Sequence, residues 1–255
     1  MLAFYYEIKY NLVRQFRYKL SFISNIIINL IMFAGMLNLN KNMYVGKTNL
    51  VSYSGILAFT TYLFWNYGSM LITANVSHIS GELISGIFET KLQSKIDIIW
   101  LLFAKMLSGL ILCIGIQLIV FIISIFGGII PIIFIKYYVM ILLIYIPGLF
   151  GIFGVSLILC GLTLKYKVLG ALSSFYSIIL FVINAFYTEG NVLVHIFIPY
   201  ILGMEIAKSY ILSNYIVLKH IGIYIFINIL WGAIGICMFK LLLYRTKKVG
   251  YFNAY

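Results

Sequence analysis

Long apolar runs without charged side chains follow one another along most of this sequence. Six runs that lack Lys, Arg, Asp and Glu are long enough to cross a bilayer, since a helix needs about 20 mostly apolar residues to span the hydrocarbon core. These runs cover residues 20–40, 48–81, 106–135, 137–164, 168–188 and 220–239. A seventh and shorter run, 190–204, contains His195 and Pro199 and favours a segment that dips into the membrane without crossing. The pattern predicts an all-α integral membrane protein with six transmembrane helices.

Composition agrees with this class, because 64% of the residues are hydrophobic, 9% are charged and the mean hydropathy is +1.09. A soluble domain averages roughly 45–50% apolar and about 25% charged residues. The values exclude a cytosolic enzyme, a disordered regulator and a secreted disulfide scaffold. The formal net charge of +12 comes from too few charged residues to cover a nucleic-acid-binding face, so no nucleic-acid partner is expected.

The lysines and arginines instead indicate the orientation of the chain, because cytoplasmic loops are enriched in them. Six crossings put both termini on one side. That side collects 13 of the 18 basic residues and the opposite side 5. Both termini are therefore predicted to be cytoplasmic.

The first 19 residues predict an amphipathic helix that lies on the inner leaflet. On a helical wheel the apolar side chains fall on one face and Glu7, Lys9, Arg14 and Arg17 fall opposite. The apolar face consists of Met1, Tyr5, Ile8, Leu12 and Phe16. Either anchoring by anionic lipid or contact with a cytoplasmic partner fits this pattern. The remainder, 20–255, is expected to form a single six-helix membrane domain.

The loop at 78–97 differs from the rest of the chain because it carries three of the six acidic residues. If the loop is helical, Glu82, Ser85, Gly86, Glu89 and Gln93 share one face. The other face carries Leu83, Ile84, Ile87, Phe88 and Leu92. The pattern predicts a short amphipathic cytoplasmic helix. An interfacial connector whose acids merely face water is the alternative.

This loop, with Glu82, Gly86-Ile87-Phe88-Glu89, Leu92 and Ser94-Lys95 ahead of the third apolar run, resembles the signature of ABC-2 type transporter permeases. Lys95 stands where many members of that family have proline. The length, the amphipathic start, the six runs and the proline-containing segment before the last run are also similar to that family. The resemblance implies that residues 190–213 form short extracellular re-entrant helices that dip into the membrane, and that residues 244–255 form a cytoplasmic tail.

The resemblance further implies a function in a bacterial plasma membrane. The chain would pair with a second permease copy, as a homodimer or close heterodimer, and with two copies of a separate ATPase subunit. ATP and Mg²⁺ would bind to that ATPase, with no cofactor in this chain. The loop would be the coupling helix that contacts the ATPase, through Glu82, Leu83, Gly86, Ile87, Phe88, Glu89 and Leu92. Membrane lipid is the other expected partner.

Few polar side chains interrupt the runs, and these are candidates either for hydrogen bonds between helices or for a substrate path. Asn25, Asn29, Tyr62 and Asn66 are the path candidates, and Gln117, Asn184 and Asn228 are further examples. The sequence predicts no catalytic residues and no metal ligands. In the fourth run, Gly148, Gly151 and Gly154 follow Pro147 at a spacing of three, which predicts close approach of another helix.

Scarce charge in the runs favours a hydrophobic or amphipathic cargo for an exporter. An amphipathic peptide, such as a toxin or bacteriocin, is the first candidate for the exported cargo, and a drug or lipid is the second. An ion-coupled secondary transporter or a membrane-embedded enzyme is the alternative. The alternative needs a buried carboxylate, an inverted repeat or a catalytic cluster inside the runs.

Overall fold

The structure is a computed structural model that describes residues 2–44, 53–166, 170–186 and 192–249. Its described residues are all-helical, with ten α-helices and one 3₁₀ turn at Ile132–Phe134. The α-helices are α1 Leu2–Arg17, α2 Lys19–Tyr44, α3 Ser54–Ile84, α4 Ile87–Leu92, α5 Ile98–Phe126, α6 Ile135–Tyr166, α7 Ala171–Phe186, α8 Val192–Phe197, α9 Ile201–Ser213 and α10 Leu218–Val249.

Four of these helices are long and apolar enough to cross a membrane. The qualifying segments are Phe22–Leu39, Ile98–Phe126, Ile132–Tyr166 and Leu218–Lys248. Six crossings were expected, but α3 and α7 do not meet the same criteria. Helix α7 has only 16 residues, and the sequence of α3 is interrupted by polar side chains such as Asn66 and Asn75.

Helix α3 lies at the centre of the bundle. It packs against α2, α5, α6, α7 and α9, and most of its side chains are buried. Large aromatic side chains fill the space around it, including Phe59, Tyr62, Phe64 and Tyr67, which are all fully buried. Because other helices surround α3, its polar side chains face protein. A helix in this position can therefore contain more polar residues than a helix that faces lipid.

Helices α6 and α10 form the most extensive helix pair, along a contact that we call the glycine seam: Gly148, Gly151 and Gly154 of α6 with Gly235 of α10. A Cβ atom added to Gly154 would lie 2.1 Å from the carbonyl oxygen of Trp231. One added to Gly235 would lie 2.2 Å from the carbonyl oxygen of Gly154. The close approach predicted from the glycine spacing is confirmed, since no larger residue fits between these backbones without movement.

The segment at 190–213 contains two helices, α8 and α9, with Pro199 between them. The Pro199 carbonyl accepts a hydrogen bond of 2.9 Å from Asn228 Nδ2 of α10. Tyr200, fully buried, accepts one of 2.6 Å from Asn184 Nδ2 of α7. Helix α9 also packs on α3 and α6, so this segment is built into the core.

Helix α1 packs against α5 and α2, with Ile8 and Leu12 half-buried as its apolar face predicts. Tyr5, which was assigned to the same face, is 58% exposed. Glu7 was assigned to the opposite, polar face, but it is half-buried because it meets His78 of α3. Met1 and the side chain of Phe16 lie outside the described residues.

Candidate functional site

Five side chains from α2, α3 and α5 meet in a buried hydrogen-bonded cluster that we call the polar knot: Asn29, Tyr62, Asn66, Cys113 and Gln117. The Oδ1 atom of Asn29 accepts from the Tyr62 hydroxyl at 2.5 Å, from Asn66 Nδ2 at 2.8 Å and from Gln117 Nε2 at 3.1 Å. Asn66 Oδ1 accepts from Gln117 Nε2 at 2.8 Å and from the Cys113 thiol at 3.1 Å. The knot therefore joins three helices through two amide oxygens.

Every member of the polar knot is shielded from solvent. Gln117, Tyr62 and Cys113 are fully buried, and Asn29 and Asn66 are each 8% exposed. Buried polar groups normally form hydrogen bonds, because a buried group without a partner loses its hydrogen bonds to water and gains none in return. The Oε1 atom of Gln117 nevertheless has no hydrogen-bond partner among the described residues. The knot thus retains one free acceptor.

The structure brings together three of the four side chains that the sequence marks as a substrate path. Asn29, Tyr62 and Asn66 belong to the polar knot, whereas Asn25 contributes its backbone carbonyl, which accepts from Asn29 Nδ2 at 2.7 Å. From the sequence, Gln117 is only a polar residue inside a run, and Cys113, which lies in an apolar run, is expected to be a small buried hydrophobic side chain. The helical spacing of Asn25 with Asn29 and of Tyr62 with Asn66 predicts a shared face, but their meeting with α5 depends on the tertiary fold.

A second cluster, the charge cluster, consists of Glu7 of α1, His78 and Glu82 of α3 and Lys91 of α4. His78 Nε2 lies 3.1 Å from Glu82 Oε1 and 3.7 Å from Glu7 Oε1. Lys91 Nζ lies 3.8 Å from Glu7 Oε1 and also bonds to Glu82 Oε1. The nearby His78 side chain is the main cause that lowers the pKa of Glu7. Partial burial acts in the opposite direction, and Lys91 lowers the pKa further. The charge cluster fastens α1 to the end of α3.

The segment at 78–97 is divided between two helices that meet at Ser85 and Gly86. Helix α3 continues to Ile84, and α4 begins at Ile87 after Gly86, whose φ of 71° lies in the left-handed region. Glycine adopts this conformation readily, so the chain turns there instead of extending one amphipathic helix. We call residues 82–92, with this turn at their centre, the elbow.

The seven residues expected to contact an ATPase divide into two groups at the elbow. Glu82 is 8% exposed and Phe88 is fully buried, while Leu83 and Leu92 pack against the core. Glu89 is half-buried. Gly86 is exposed, and Ile87 is 51% exposed beside Ile84, which is 61% exposed. Inward side chains thus fix the elbow to the bundle, and an outward apolar pair remains available for contact.

The α8 and α9 segment carries one more polar contact. His195 Nε2 of α8 lies 2.9 Å from Glu205 Oε2 of α9. Lys208, three residues after Glu205, is 6% exposed, so it lies in the core of this segment.

Comparisons of this chain with protein-family models, with curated proteins and with solved structures gave no match.

Proposed function

We propose that this chain is the transmembrane permease subunit of an ATP-driven exporter of the ABC-2 type, in a bacterial plasma membrane with both termini cytoplasmic. Helices α2, α3, α5, α6, α7 and α10 are its six crossings. The elbow is its coupling element. It works with a second permease copy and with two copies of a separate ATPase subunit that binds ATP and Mg²⁺.

The order of elements along the chain supports this assignment. An amphipathic helix precedes the first long apolar helix, a short helix lies between the second and third crossings, and a helix pair precedes the last crossing. Helix α3 is 31 residues long, or about 46 Å, which exceeds the hydrocarbon thickness despite its polar residues. The neighbouring helices of the chain cover those polar residues, so on this proposal hydropathy alone undercounts the crossings.

The observation that carries the proposal is the attachment of the elbow. A coupling element transmits force only if it is held firmly to the bundle and also presents a surface to its partner. Phe88 anchors α4 in the core, and Glu82 is held by His78 and Lys91. Ile84 and Ile87 point outward from the same short segment. A connector that only faces water needs neither the anchor nor the exposed isoleucines.

The cargo is a hydrophobic or amphipathic molecule, with an amphipathic peptide, toxin or bacteriocin first and a drug or lipid second. The long helices contain few charged side chains, and the polar knot offers neutral amide, hydroxyl and thiol groups. Neutral hydrogen-bonding groups suit peptide amides better than they suit ions, which need charge or many oxygens.

Photocrosslinking tests the partner directly. A photoreactive amino acid placed at Ile87 in the full chain, expressed in its native host, is expected to crosslink to an ATPase subunit. The same substitution at Ile133 is the control and should give no such product. Ile133 is 68% exposed and lies between the end of α5 and the start of α6, at the opposite end of α5 from the elbow.

ATP hydrolysis gives a second test. The pair Ile84→Ser with Ile87→Ser should lower cargo-stimulated, vanadate-sensitive ATP hydrolysis at least tenfold, whereas Ile132→Ser with Ile133→Ser should not.

Three results would overturn the proposal. The first is a purified chain that transports under a proton or sodium gradient without any ATPase, as the secondary-transporter alternative requires. The second is labelling of cysteines at 84 and 87 by an impermeant reagent from outside intact cells. The third is equal ATP turnover by the elbow and control variants.

A further inference from the structure

A cavity of about 290 Å³ lies between the turn that joins α4 to α5 and the final turns of α10. Its lining includes Lys91, Lys95, Asp97, Leu243 and Lys247. Asp97 is committed to the start of α5, since its Oδ1 accepts from the Ile99 backbone N–H at 3.0 Å. The lining therefore has three positive side chains and one negative side chain, Asp97, which already caps α5. This charge balance favours binding of an anion in the cavity.

The three lysines are not equivalent. Lys91 bonds to Glu82 in the charge cluster, which offsets its charge. Lys95 and Lys247 are exposed, and they come from opposite walls of the cavity, one after α4 and the other on α10. A lysine ammonium acts as a compact point charge with three donors and is a common phosphate ligand. These two side chains are the natural contacts for a bound phosphate.

Two exposed aromatic side chains lie close in the chain to the lining residues Ile98 and Leu243. Trp100, in the first turn of α5, is 61% exposed, and Tyr244, one turn before Lys247 on α10, is 66% exposed. Trp and Tyr are enriched where membrane proteins cross the headgroup level, because their rings have both apolar and polar edges. On the proposed topology, these two rings place the cavity near the level of the lipid phosphates.

We propose that this cavity binds the phosphate of an anionic phospholipid headgroup through Lys95 and Lys247. A volume of 290 Å³ corresponds to roughly ten water molecules at about 30 Å³ each, which leaves room for a phosphate with a small attached group. A headgroup held there bridges the end of the elbow to α10. This binding needs a membrane around the bundle but no ATPase, so it can hold or fail independently of the proposed function.

Native mass spectrometry of the full chain in neutral detergent tests the site. Phosphatidylglycerol, phosphatidylcholine and inorganic phosphate are titrated separately. Phosphatidylglycerol should be retained as one tight adduct, and K95Q with K247Q should weaken it on the order of tenfold or more, since each lysine near anionic lipid contributes appreciably. R245Q with K248Q is the matched control: it also removes two positive charges near the cavity, but both come from exposed residues of α10 outside the lining.

The proposal is supported by loss of the adduct in K95Q/K247Q and its retention in R245Q/K248Q. Equal loss in both variants means general attraction to a basic surface and overturns the site. Equal retention of phosphatidylcholine removes the preference for anionic headgroups and also overturns it. If inorganic phosphate binds as tightly as phosphatidylglycerol, the proposal that the bound phosphate belongs to a lipid is overturned. Melting curves of both variants check that the chain remains folded.

Discussion

The glycine seam and the contacts of α3 hold helices together in two different ways. Along the glycine seam, α6 and α10 meet backbone to backbone, with no space for a methyl group at Gly154. Around α3, side chains make the contacts, through the polar knot at one level and the charge cluster at its end. Close-packed backbones have one arrangement, whereas hydrogen-bonded side chains can exchange partners. We therefore expect α6 and α10 to move as one body, and rearrangement to occur around α3.

The largest expected effect breaks the glycine seam. Gly154→Ala places a Cβ 2.1 Å from the Trp231 carbonyl oxygen, so the helices must separate, and we expect a loss of about 1–3 kcal/mol in the free energy of unfolding. Gly115→Ala is the control, because its Cβ meets nothing within 4 Å and alanine favours helix by up to about 1 kcal/mol. Reversible unfolding in mixed micelles measures both. Two variants of equal stability would contradict the close contact.

A smaller effect is expected from the polar knot. Gln117→Met keeps the side-chain length but removes the donor to Asn29, Tyr62 and Asn66. At roughly 0.6 kcal/mol for each hydrogen bond between membrane helices, the loss is about 1–2 kcal/mol. The same unfolding assay measures it, with Leu118→Met as the control, since Leu118 is 42% exposed on the same helix. A loss larger than that of Gly154→Ala would reverse the comparison.

The turn at Gly86 tests whether the elbow is set by the backbone. Gly86→Ala forces alanine to a φ of 71°, which costs about 1 kcal/mol or more because its Cβ approaches the following carbonyl. Gly81→Ala, in the last turns of α3 with open space for a Cβ, should instead be neutral or stabilising. Melting temperatures in detergent distinguish the two. Matching shifts would mean that the turn at Gly86 is not required.

The smallest effect is a pH dependence of the charge cluster. The pKa of Glu7 is lowered in the folded chain, so its contribution is complete above its ordinary value of 4.5 and is lost as the pH falls through the lowered pKa. Hydrogen exchange of α1 should then increase in acid, after correction for the intrinsic rate. Glu7→Gln should remove this dependence and Glu89→Gln should keep it. Acid-insensitive exchange in the unmodified chain would show that Glu7 does not hold α1.

Much of the fold follows from sequence patterns, and the part that does not is tertiary. Apolar runs predict the long helices, and the spacing of Gly148, Gly151 and Gly154 predicts close packing. The inward position of Glu82 was not expected, because it depends on Lys91 approaching across the turn at Gly86. The spacing of His78 and Glu82, one helical turn apart, was a local signal for that pairing. Gln117 joins the polar knot only because α5 packs beside α2 and α3, which no local pattern indicates.

The central position of α3 has a consequence for how the chain enters the bilayer. On the proposed topology, a segment that contains Asn66 and Asn75 partitions poorly into lipid alone, because the side-chain amides of these two residues have their partners on other helices. Those partners include Asn29, which is made before α3, and Gln117 and Ser156, which are made after it. Stable integration of α3 during synthesis therefore has to wait for later helices, and a nascent chain that ends before α5 should leave α3 accessible to protease.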